Sequence, residues 1–268
     1  MEKSMKGLCE ISANVLSKTR NVIVAGDIHG DYTSFKSIHK HFNPWQDLMV
    51  FLGDYADRGA KGMEVIEGIE NLRRTYPTRV YALKGNHEDY TEDGRPMFTP
   101  CTLKEEATIQ IGDWTSYFEN ELRPFIAELC LAVIIPDAVL FVHGGVSTKI
   151  EGLKELKCPS RGIEEDILWS DPFKGYGERF NRRGVGVEFG EDISKKVCNR
   201  LGVKRIVRSH QPRKASSAPY VEHDGRVVTI SSTTVYGGTP FILKLPAKDL
   251  NTSFNNIENH VQKLRMYP

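Results

Sequence analysis

Five short apolar runs, rich in Val, Ile, Leu and Phe, each end in a polar segment that in most cases carries glycine. Buried β-strands that lead into functional loops have this pattern. The predicted strands and the segments after them are Asn21–Ala25 before GDIHG, Leu48–Leu52 before GDYADRG, Arg79–Leu83 before KGNHE, Ala138–Val142 before HGG and Arg205–Val207 before RSHQ. A repeated order of strand and loop therefore organises the chain.

Segments with helical spacing of apolar residues lie between these runs. The predicted helices are Tyr32–Phe42, Gly62–Tyr76, one within Thr102–Leu129, and Glu191–Leu201. The alternation of strands and helices predicts an α/β fold. No repeat or low-complexity linker divides the chain, and 268 residues suit one large domain.

The two ends of the chain are predicted less directly. Residues 1–20 are typical of an amphipathic helix and lack the apolar stretch of a secretory signal. Near the other end, Arg226–Ile230 and Pro240–Leu245 flank a loop with Gly237 and Gly238, which predicts a β-hairpin.

Metal-binding side chains lie directly after the predicted strands. They are Asp27, His29, Asp54, Asn86, His143 and His210. Because loops at the carboxyl ends of such strands line one crevice, we expect these side chains to meet. Imidazole suits Zn, Fe and Ni, whereas carboxylate and carbonyl oxygens suit Mn and Mg, so the mixed set predicts two divalent ions drawn from Mn, Fe and Zn.

The distribution of histidine supports this interpretation. A single Asp-x-His or Asn-His is explained by turn or cap chemistry alone. Here, however, four of the eight histidines follow an apolar run, and the others lie in helical or polar stretches where a surface position is the simplest interpretation. The first group is His29, His87, His143 and His210, and the second is His39, His41, His223 and His260.

Composition narrows the function classes. The formal charge of +1 argues against the basic surface that nucleic-acid binding needs, so no nucleic-acid partner is expected. The longest apolar run, 129–142, is broken by Pro136 and Asp137 and is shorter than the ~20 residues of a membrane span, so no membrane partner is expected either.

Cysteine usage predicts a reducing, cytoplasmic location. The number of cysteines is odd and no Cys-x-x-Cys pair occurs, so neither a disulfide framework nor a structural zinc site is expected. The cysteines are Cys9, Cys101, Cys130, Cys158 and Cys198. None of them is followed six positions later by arginine, which excludes the Cys-x5-Arg loop of cysteine-dependent tyrosine phosphatases.

The motifs GDIHG, GDYADRG, GNHE, HGG and RSHQ, in this order and spacing, resemble the phosphoprotein phosphatase family of calcineurin-like metallophosphoesterases. LWSDP at Leu168–Pro172, RGVGVEFG at Arg183–Gly190 and STTVYGG at Ser232–Gly238 are similar to blocks that surround the active site in the type 1 protein phosphatase group. The resemblance extends from Asn21 to Leu245.

The resemblance implies an α/β fold built as a calcineurin-like β-sandwich flanked by helices. It also implies a metallophosphoesterase catalytic domain over residues 1–250, with 251–268 as a C-terminal tail or peripheral helix.

The resemblance further implies a ligand set for each of two metal ions. Asp27, His29 and Asp54 would hold the first ion, and Asp54, Asn86, His143 and His210 the second. Two ions ~3.5–4 Å apart lower the pKa of a shared water to roughly 7. The implied reaction is therefore attack of a metal-bridging hydroxide on a phosphate monoester, with Mn as the favoured metal and Fe or Zn as alternatives.

Other motif residues match the needs of this reaction. Arg58 and Arg183 would bind phosphate oxygens through their planar guanidinium groups, with Asn86 and Tyr236 as further phosphate contacts. A core role with a satisfied hydroxyl stays open for Tyr236. His87 would be the general acid for the leaving alkoxide, and Asp57 would orient its imidazole and favour the charged form.

The resulting hypothesis is a serine/threonine protein phosphatase that acts on phosphoproteins, with phosphotyrosine as a further substrate and with room for regulatory subunits. Hydrolysis of a dinucleoside polyphosphate or another small phosphate compound is the nearest alternative. A metal-binding scaffold without activity and a metallonuclease are the others.

Three features depart from the family pattern: the first two concern the charge of the groove and the response to inhibitors, and the third concerns substrate selection. Arg182 stands where animal members usually carry Asp, and Gly237 where they often carry a toxin-reactive Cys. The stretch Glu88–Thr102 and the helical region after it resemble the family least.

Overall fold

A computed structural model describes residues 6–265, and its core is a pair of β-sheets packed face to face. The strands of the first sheet are β1 (Lys6–Glu10), β5 (Cys130–Ile135), β6 (Val139–Val142), β10 (Arg205–Arg208), β11 (Tyr220–Glu222) and β12 (Val227–Thr229). Their order across the sheet is β1-β5-β6-β10-β12-β11. The pairs β5-β6 and β11-β12 are antiparallel, and the others are parallel.

The second sheet contains the strands that follow one another early in the chain. They are β2 (Asn21–Ala25), β3 (Asp47–Phe51) and β4 (Val80–Ala82), joined by β13 (Phe241–Pro246) and β14 (Val261–Lys263). The order is β14-β13-β2-β3-β4, with β2, β3 and β4 parallel. A small third sheet is formed by β7 (Asp171–Pro172), β9 (Val187–Phe189) and β8 (Glu178–Phe180), in that order.

Helices cover the outer faces of both main sheets. Their bounds are α1 (Ala13–Ser17), α2 (Tyr32–Lys40), α3 (Gly62–Thr75), α4 (Thr102–Ile111), α5 (Trp114–Tyr117), α6 (Arg123–Ala127), α7 (Leu153–Lys157), α8 (Arg161–Trp169), α9 (Glu191–Leu201) and α10 (Leu250–Ser253). Within residues 6–265, none of these helices combines the length and apolar character that a bilayer crossing requires.

The strands are buried on both faces, which explains their nearly continuous apolar sequence. Between the sheets, Val22 and Val50 of the second sheet belong to the same apolar cluster as Phe141 and Val207 of the first. Helices α2 and α3 pack on the outside of the second sheet, and α8 and α9 on the outside of the first. The predicted fold class, an α/β sandwich flanked by helices, is confirmed.

The predicted hairpin near the C-terminus was wrong. Strand β12 lies in the first sheet, where it pairs with β10 and β11, whereas β13 crosses to the second sheet and pairs antiparallel with β2. Alternating apolar residues around a glycine pair therefore indicated strands correctly but not their partners.

The prediction of one amphipathic helix over residues 1–20 was also wrong for the described part. Residues 6–10 form β1, which pairs in parallel with β5, and only the five residues of α1 are helical. At the other end, 254–260 form 3-10 turns and β14 pairs with β13. The domain boundary at residue 250 stays a prediction.

Cys9 and Cys130 form a disulfide, contrary to the expectation from their scattered positions. The two residues are 121 positions apart, and only the pairing of β1 with β5 brings their Cα atoms to 6.1 Å. Because sequence spacing carries no trace of this pairing, cysteine counting could not detect the bond.

We expect reduction of this disulfide to lower the melting temperature. Opening a loop of this length restores conformational entropy to the unfolded chain, which is typically worth about 2–4 kcal/mol and thus about 4–16 °C for a domain of this size. Thermal unfolding with and without dithiothreitol measures the shift, and Cys9→Ser serves as the control because it should respond no further to the reductant. Identical melting curves for all samples would contradict the expectation.

Candidate active site

The loops after the strands of both main sheets meet at one edge of the sandwich. Asp27 and His29 follow β2, Asp54 follows β3, His143 follows β6 and His210 follows β10. Asn86 begins a short 3-10 turn after β4. A cavity of about 520 Å³ opens there, and its lining includes His29, Asp54, Arg58, Asn86, His87, Arg183, His210 and Tyr236. Asp27, Asp57 and His143 are buried behind it.

One imidazole nitrogen of His143 faces several lone pairs. Burial lowers the pKa of His143 to about 3, so the ring is neutral and carries one proton. That proton is on Nδ1, which donates to the carbonyl of Leu52 at 2.8 Å. The bare Nε2 lies 3.0 Å from Asn86 Oδ1, 3.2 Å from His210 Nδ1 and 3.4 Å from Asp54 Oδ1. Such a convergence of lone pairs fits a cation.

His29 has the same arrangement on the other side of Asp54. Burial and then the neighbouring His87 lower its pKa to about 3, and Nδ1 donates to the carbonyl of Ala56 at 3.1 Å. The remaining Nε2 is 3.5 Å from Asp54 Oδ2. Because the opposite oxygen of Asp54 faces His143, this carboxylate lies between two neutral imidazoles. This is the position of a bridging ligand.

The carboxylates of the site also fit cations. Burial, followed by the charges of Asp27 and Glu88, raises the pKa of Asp54 well above its ordinary value, so a positive charge is needed to keep these groups ionised together. Asp27 Oδ1 accepts hydrogen bonds from Ser209 Oγ and from the His210 amide. In the part of the chain that the structure describes, its Oδ2 has no hydrogen-bond partner, and neither does His210 Nε2. The donor set therefore fits two divalent ions.

Several of these residues have a strained backbone. His29, Asp54, Asp57, Arg58 and His210 have φ between 50° and 67°, in the left-handed region. Outside glycine this conformation is uncommon, costs of order 1–3 kcal/mol per residue and is concentrated at functional sites. These backbone conformations allow the side chains of adjacent loop residues to point toward the same cavity.

Glu88, for which the sequence suggested no role, positions the Asp54 loop. Its carboxylate accepts hydrogen bonds from the amides of Asp54 at 2.9 Å, Tyr55 at 3.0 Å and Gly85 at 2.9 Å. Burial raises its pKa to about 7. Glu88 is the last residue of the GNHE motif. A charged residue in the loop after a buried strand was the signal that could have indicated its role.

His87 is paired with Asp57. Its Nδ1 lies 2.8 Å from Asp57 Oδ2, and the other oxygen of Asp57 accepts a hydrogen bond from the Leu103 amide at 2.8 Å. The backbone amide of His87 donates to Asp54 Oδ1 at 3.0 Å, and Phe98 packs against its ring at a centroid distance of 4.4 Å. The engaged Nδ1 leaves Nε2 for a ligand in the cavity.

An ion-pair network holds Arg183. Its Nε donates to Asp171 Oδ2 at 2.8 Å, while the fully buried Arg208 donates to Asp171 Oδ1 at 2.9 Å. Sequence reasoning noted LWSDP and RSHQ but assigned no role to these two residues. A charged arginine at the end of a buried strand is unexpected, and this was the signal that could have indicated the ion pair between Arg208 and Asp171.

Arg58 and Tyr236 lie together in the lining of the cavity. The Arg58 guanidinium is 5.7 Å from the centre of the Tyr236 ring, and that ring meets His29 edge-on at 5.4 Å. Arg58 Nη2 also reaches the carbonyl of Thr99, at 3.5 Å. All eleven sequence-predicted site residues are thus in the cavity wall or directly behind it; the roles assigned to them stay predictions.

One of the four histidines expected at the surface is buried instead. His223 is 7% exposed, with Nδ1 3.0 Å from Ser194 Oγ and Nε2 3.0 Å from the carbonyl of Phe173. It has no contact with the cavity and serves as a hydrogen-bonded core residue. The sequence indicated a surface position because the neighbours of His223 are polar, and among them Asp224 is exposed.

Curated relatives are serine/threonine protein phosphatases by name. "Serine/threonine-protein phosphatase T" of Schizosaccharomyces pombe is 30% identical over 253 residues, which are 88% of this chain and 51% of that protein. "Serine/threonine-protein phosphatase PP2A-like PPG1" of Saccharomyces cerevisiae is 29% identical over 92% of this chain and 74% of its own length. The chain thus spans about half the length of the first of these relatives.

A solved structure supports the fold. It is a protein serine/threonine phosphatase from Saccharomyces cerevisiae with similarity to human phosphatase PP5, which superimposes with a TM-score of 0.78 at 22% identity over 99% of this chain and 86% of the other. A sequence model of the family described as calcineurin-like phosphoesterase matches residues 20–214, which include every candidate metal ligand. The chain belongs to the calcineurin-like phosphoesterase family.

Proposed function

We propose that this protein is a metal-dependent serine/threonine protein phosphatase that hydrolyses phosphate monoesters. The observation that carries the proposal is the position of Asp54 between the unprotonated nitrogens of His29 and His143, at 3.5 and 3.4 Å. The names of the curated relatives support phosphoserine and phosphothreonine as substrates.

In this proposal the first divalent ion is held by Asp27, His29 and Asp54, and the second by Asp54, Asn86, His143 and His210. The bound ions would supply an activated water nucleophile and neutralise charge on the phosphoryl oxygens. We propose Mn as the native metal, with Fe and Zn as alternatives, because the ligands combine hard oxygens with imidazole.

In the same proposal, side chains of the protein bind the phosphate and supply the proton for the leaving group. Arg58 and Arg183 bind and orient the phosphate from two sides, and Asp171 fixes the direction of Arg183 by its 2.8 Å contact. Asn86 and Tyr236 complete the phosphate site. His87 donates a proton from Nε2 to the leaving oxygen while Asp57 holds its Nδ1 in place.

A substrate panel tests the activity. Phosphoserine, phosphothreonine and phosphotyrosine peptides and a dinucleoside tetraphosphate are assayed with metal-stripped protein reloaded separately with Mn, Fe and Zn. We expect hydrolysis of the first two peptides, weaker hydrolysis of phosphotyrosine, and activity only after reloading. Preference for the dinucleoside compound would support the alternative of a small-molecule hydrolase, and inertness toward every ester would support a scaffold.

The cell compartment and the regulatory partners belong to the same proposal. A cytoplasmic location stays part of the proposal, although the Cys9–Cys130 bond argues against the reducing compartment that the cysteine count predicted, because cytosolic thiols are kept reduced. Regulatory subunits are part of the same proposal, which rests on the resemblance to the phosphoprotein phosphatases.

A further inference from the structure

A second cavity, of about 480 Å³, lies between α3 and the helical segment 110–125 and shares no lining residue with the active site. Its walls combine the apolar side chains of Met63, Ile111 and Phe125 with several glutamates. We call this cavity the acidic groove. Ile111 is 49% exposed there, so the apolar wall is open to solvent.

The negative charge of the acidic groove is only partly neutralised. Glu70 is paired with Arg73 at 2.7 Å and with Arg74 at 2.8 Å. By contrast, Glu67 and Glu121 make no salt bridge among the residues from 6 to 265, although both line the groove.

A buried hydroxyl provides an independent indication of a ligand. Tyr117 lines the acidic groove and is only 4% exposed, yet its hydroxyl has no hydrogen-bond partner among residues 6–265. Burial and then the charges of Glu106 and Glu121 raise its pKa above the ordinary range. Within the described chain, Glu64 Oε2 in the same lining also has no hydrogen-bond partner, whereas Glu64 Oε1 lies 3.7 Å from Lys61 Nζ. Leaving such groups without partners costs roughly 1–3 kcal/mol each, which a bound donor would offset.

The unpaired atoms define the chemistry of that donor. A hydroxyl oxygen and carboxylate oxygens can all be satisfied by one group that carries several N–H donors and a positive charge, which describes a guanidinium. The apolar wall suits the methylene stem of arginine and a neighbouring aliphatic side chain. A metal ion fits less well, because among residues 6–265 the clusters of three close ligand groups are confined to the active site.

We propose that the acidic groove binds a partner protein through a segment in which arginine alternates with aliphatic residues. The arginine enters between α3 and the segment 110–125, donates to the Tyr117 hydroxyl and pairs with Glu67 and Glu121. The proposal is independent of the phosphatase activity because the groove contains none of the residues assigned to it.

Fluorescence anisotropy with a designed probe tests the proposal. The probe is a fluorescein-labelled twelve-residue peptide in which arginine and leucine alternate, and its control contains citrulline, which keeps the shape and removes the charge. The variants are Tyr117→Phe, which removes only the hydroxyl, and the double substitution Glu67→Gln/Glu121→Gln. Glu105→Gln/Glu151→Gln is the matched control, since it removes the same charge from exposed positions outside the groove.

We expect the arginine peptide to bind wild type and the matched control equally, and the citrulline peptide to bind at least about fivefold more weakly. The Glu67/Glu121 variant should lose about fivefold to tenfold in affinity and Tyr117→Phe about threefold, with unchanged thermal unfolding and unchanged turnover of a small phosphomonoester. Equal binding of the two peptides, or equal losses in the matched control, would overturn the proposal. So would a wild-type dimer that the groove variants dissociate while no peptide binds, because the occupant would then be a second copy of the chain.

Discussion

We expect replacement of Asp54 by asparagine to lower kcat/KM toward phosphomonoesters on the order of 10³-fold or more and to reduce the content of bound metal. Asp54 is the group that faces both His29 and His143, so its carboxylate is the shared anionic ligand of the proposed pair of ions. An amide keeps the shape but loses the charge. A two-metal site contributes several kcal/mol to the reaction, and each 1.36 kcal/mol corresponds to a factor of ten.

The fold should survive this substitution. Asp54 has φ of 56°, a conformation that asparagine adopts readily. Removing one of three crowded carboxylates also relieves repulsion with Asp27 and Glu88 when no metal is bound. Kinetics, metal analysis by mass spectrometry and thermal unfolding are measured on the same preparation.

Asp224→Asn is a suitable control for this experiment. Asp224 is exposed, lies outside the cavity and has φ of 55°, so the chemical change and the backbone conformation are matched. We expect it to keep wild-type activity and metal content. An Asp54→Asn protein that retained both ions and activity within tenfold of wild type would refute the bridging role.

The candidate site residues could be selected from the sequence because each of them lies close to the end of a strand, and their roles stay predictions. Asp27 and His29 directly follow β2, and His143 directly follows β6. Parallel strands bring such positions to the same edge within each sheet, and the packing of the two sheets brings the two edges together. The five strands were therefore sufficient to predict the cavity.

Residues that act through long-range contacts were not predictable in this way. The three amides bound by Glu88 and the sharing of Asp171 between Arg183 and Arg208 depend on how loops fold back on each other. The prediction that β12 and β13 pair with each other failed for a related reason. Period-two alternation specifies which face of a strand is apolar, but the choice of sheet depends on the whole core.

The acidic groove was hidden from sequence reasoning for yet another reason. Helix α3 has acidic residues at ordinary surface spacing, and the sequence does not reveal that Tyr117 lies next to them without a hydrogen-bond partner. A buried but unsatisfied group is a property of the packed structure alone. Interaction surfaces of this kind can therefore be recognised only from the folded structure.

Replacement of His87 by asparagine should affect substrates according to their leaving group. An alkoxide leaving from phosphoserine needs a proton, and general acid catalysis is typically worth about 10²–10⁴-fold. We therefore expect kcat for a phosphoserine peptide to fall by that factor. For p-nitrophenyl phosphate, the loss of kcat should be within about tenfold, because its leaving group is stable as an anion and needs little protonation by a general acid.

This leaving-group dependence separates two roles that the geometry allows for His87. The ring lies 2.8 Å from Asp57, as a proton donor held by a carboxylate would, but it also belongs to a cluster with His29 and Asp54 that could hold a metal ion. A lost ligand would depress turnover of both substrates equally and lower the metal content, whereas a lost acid leaves the metals bound. His39→Asn, at an exposed helical position, controls for the substitution itself. Equal losses for the two substrates would assign His87 to the metal site, and unequal losses with both ions retained would identify it as the acid.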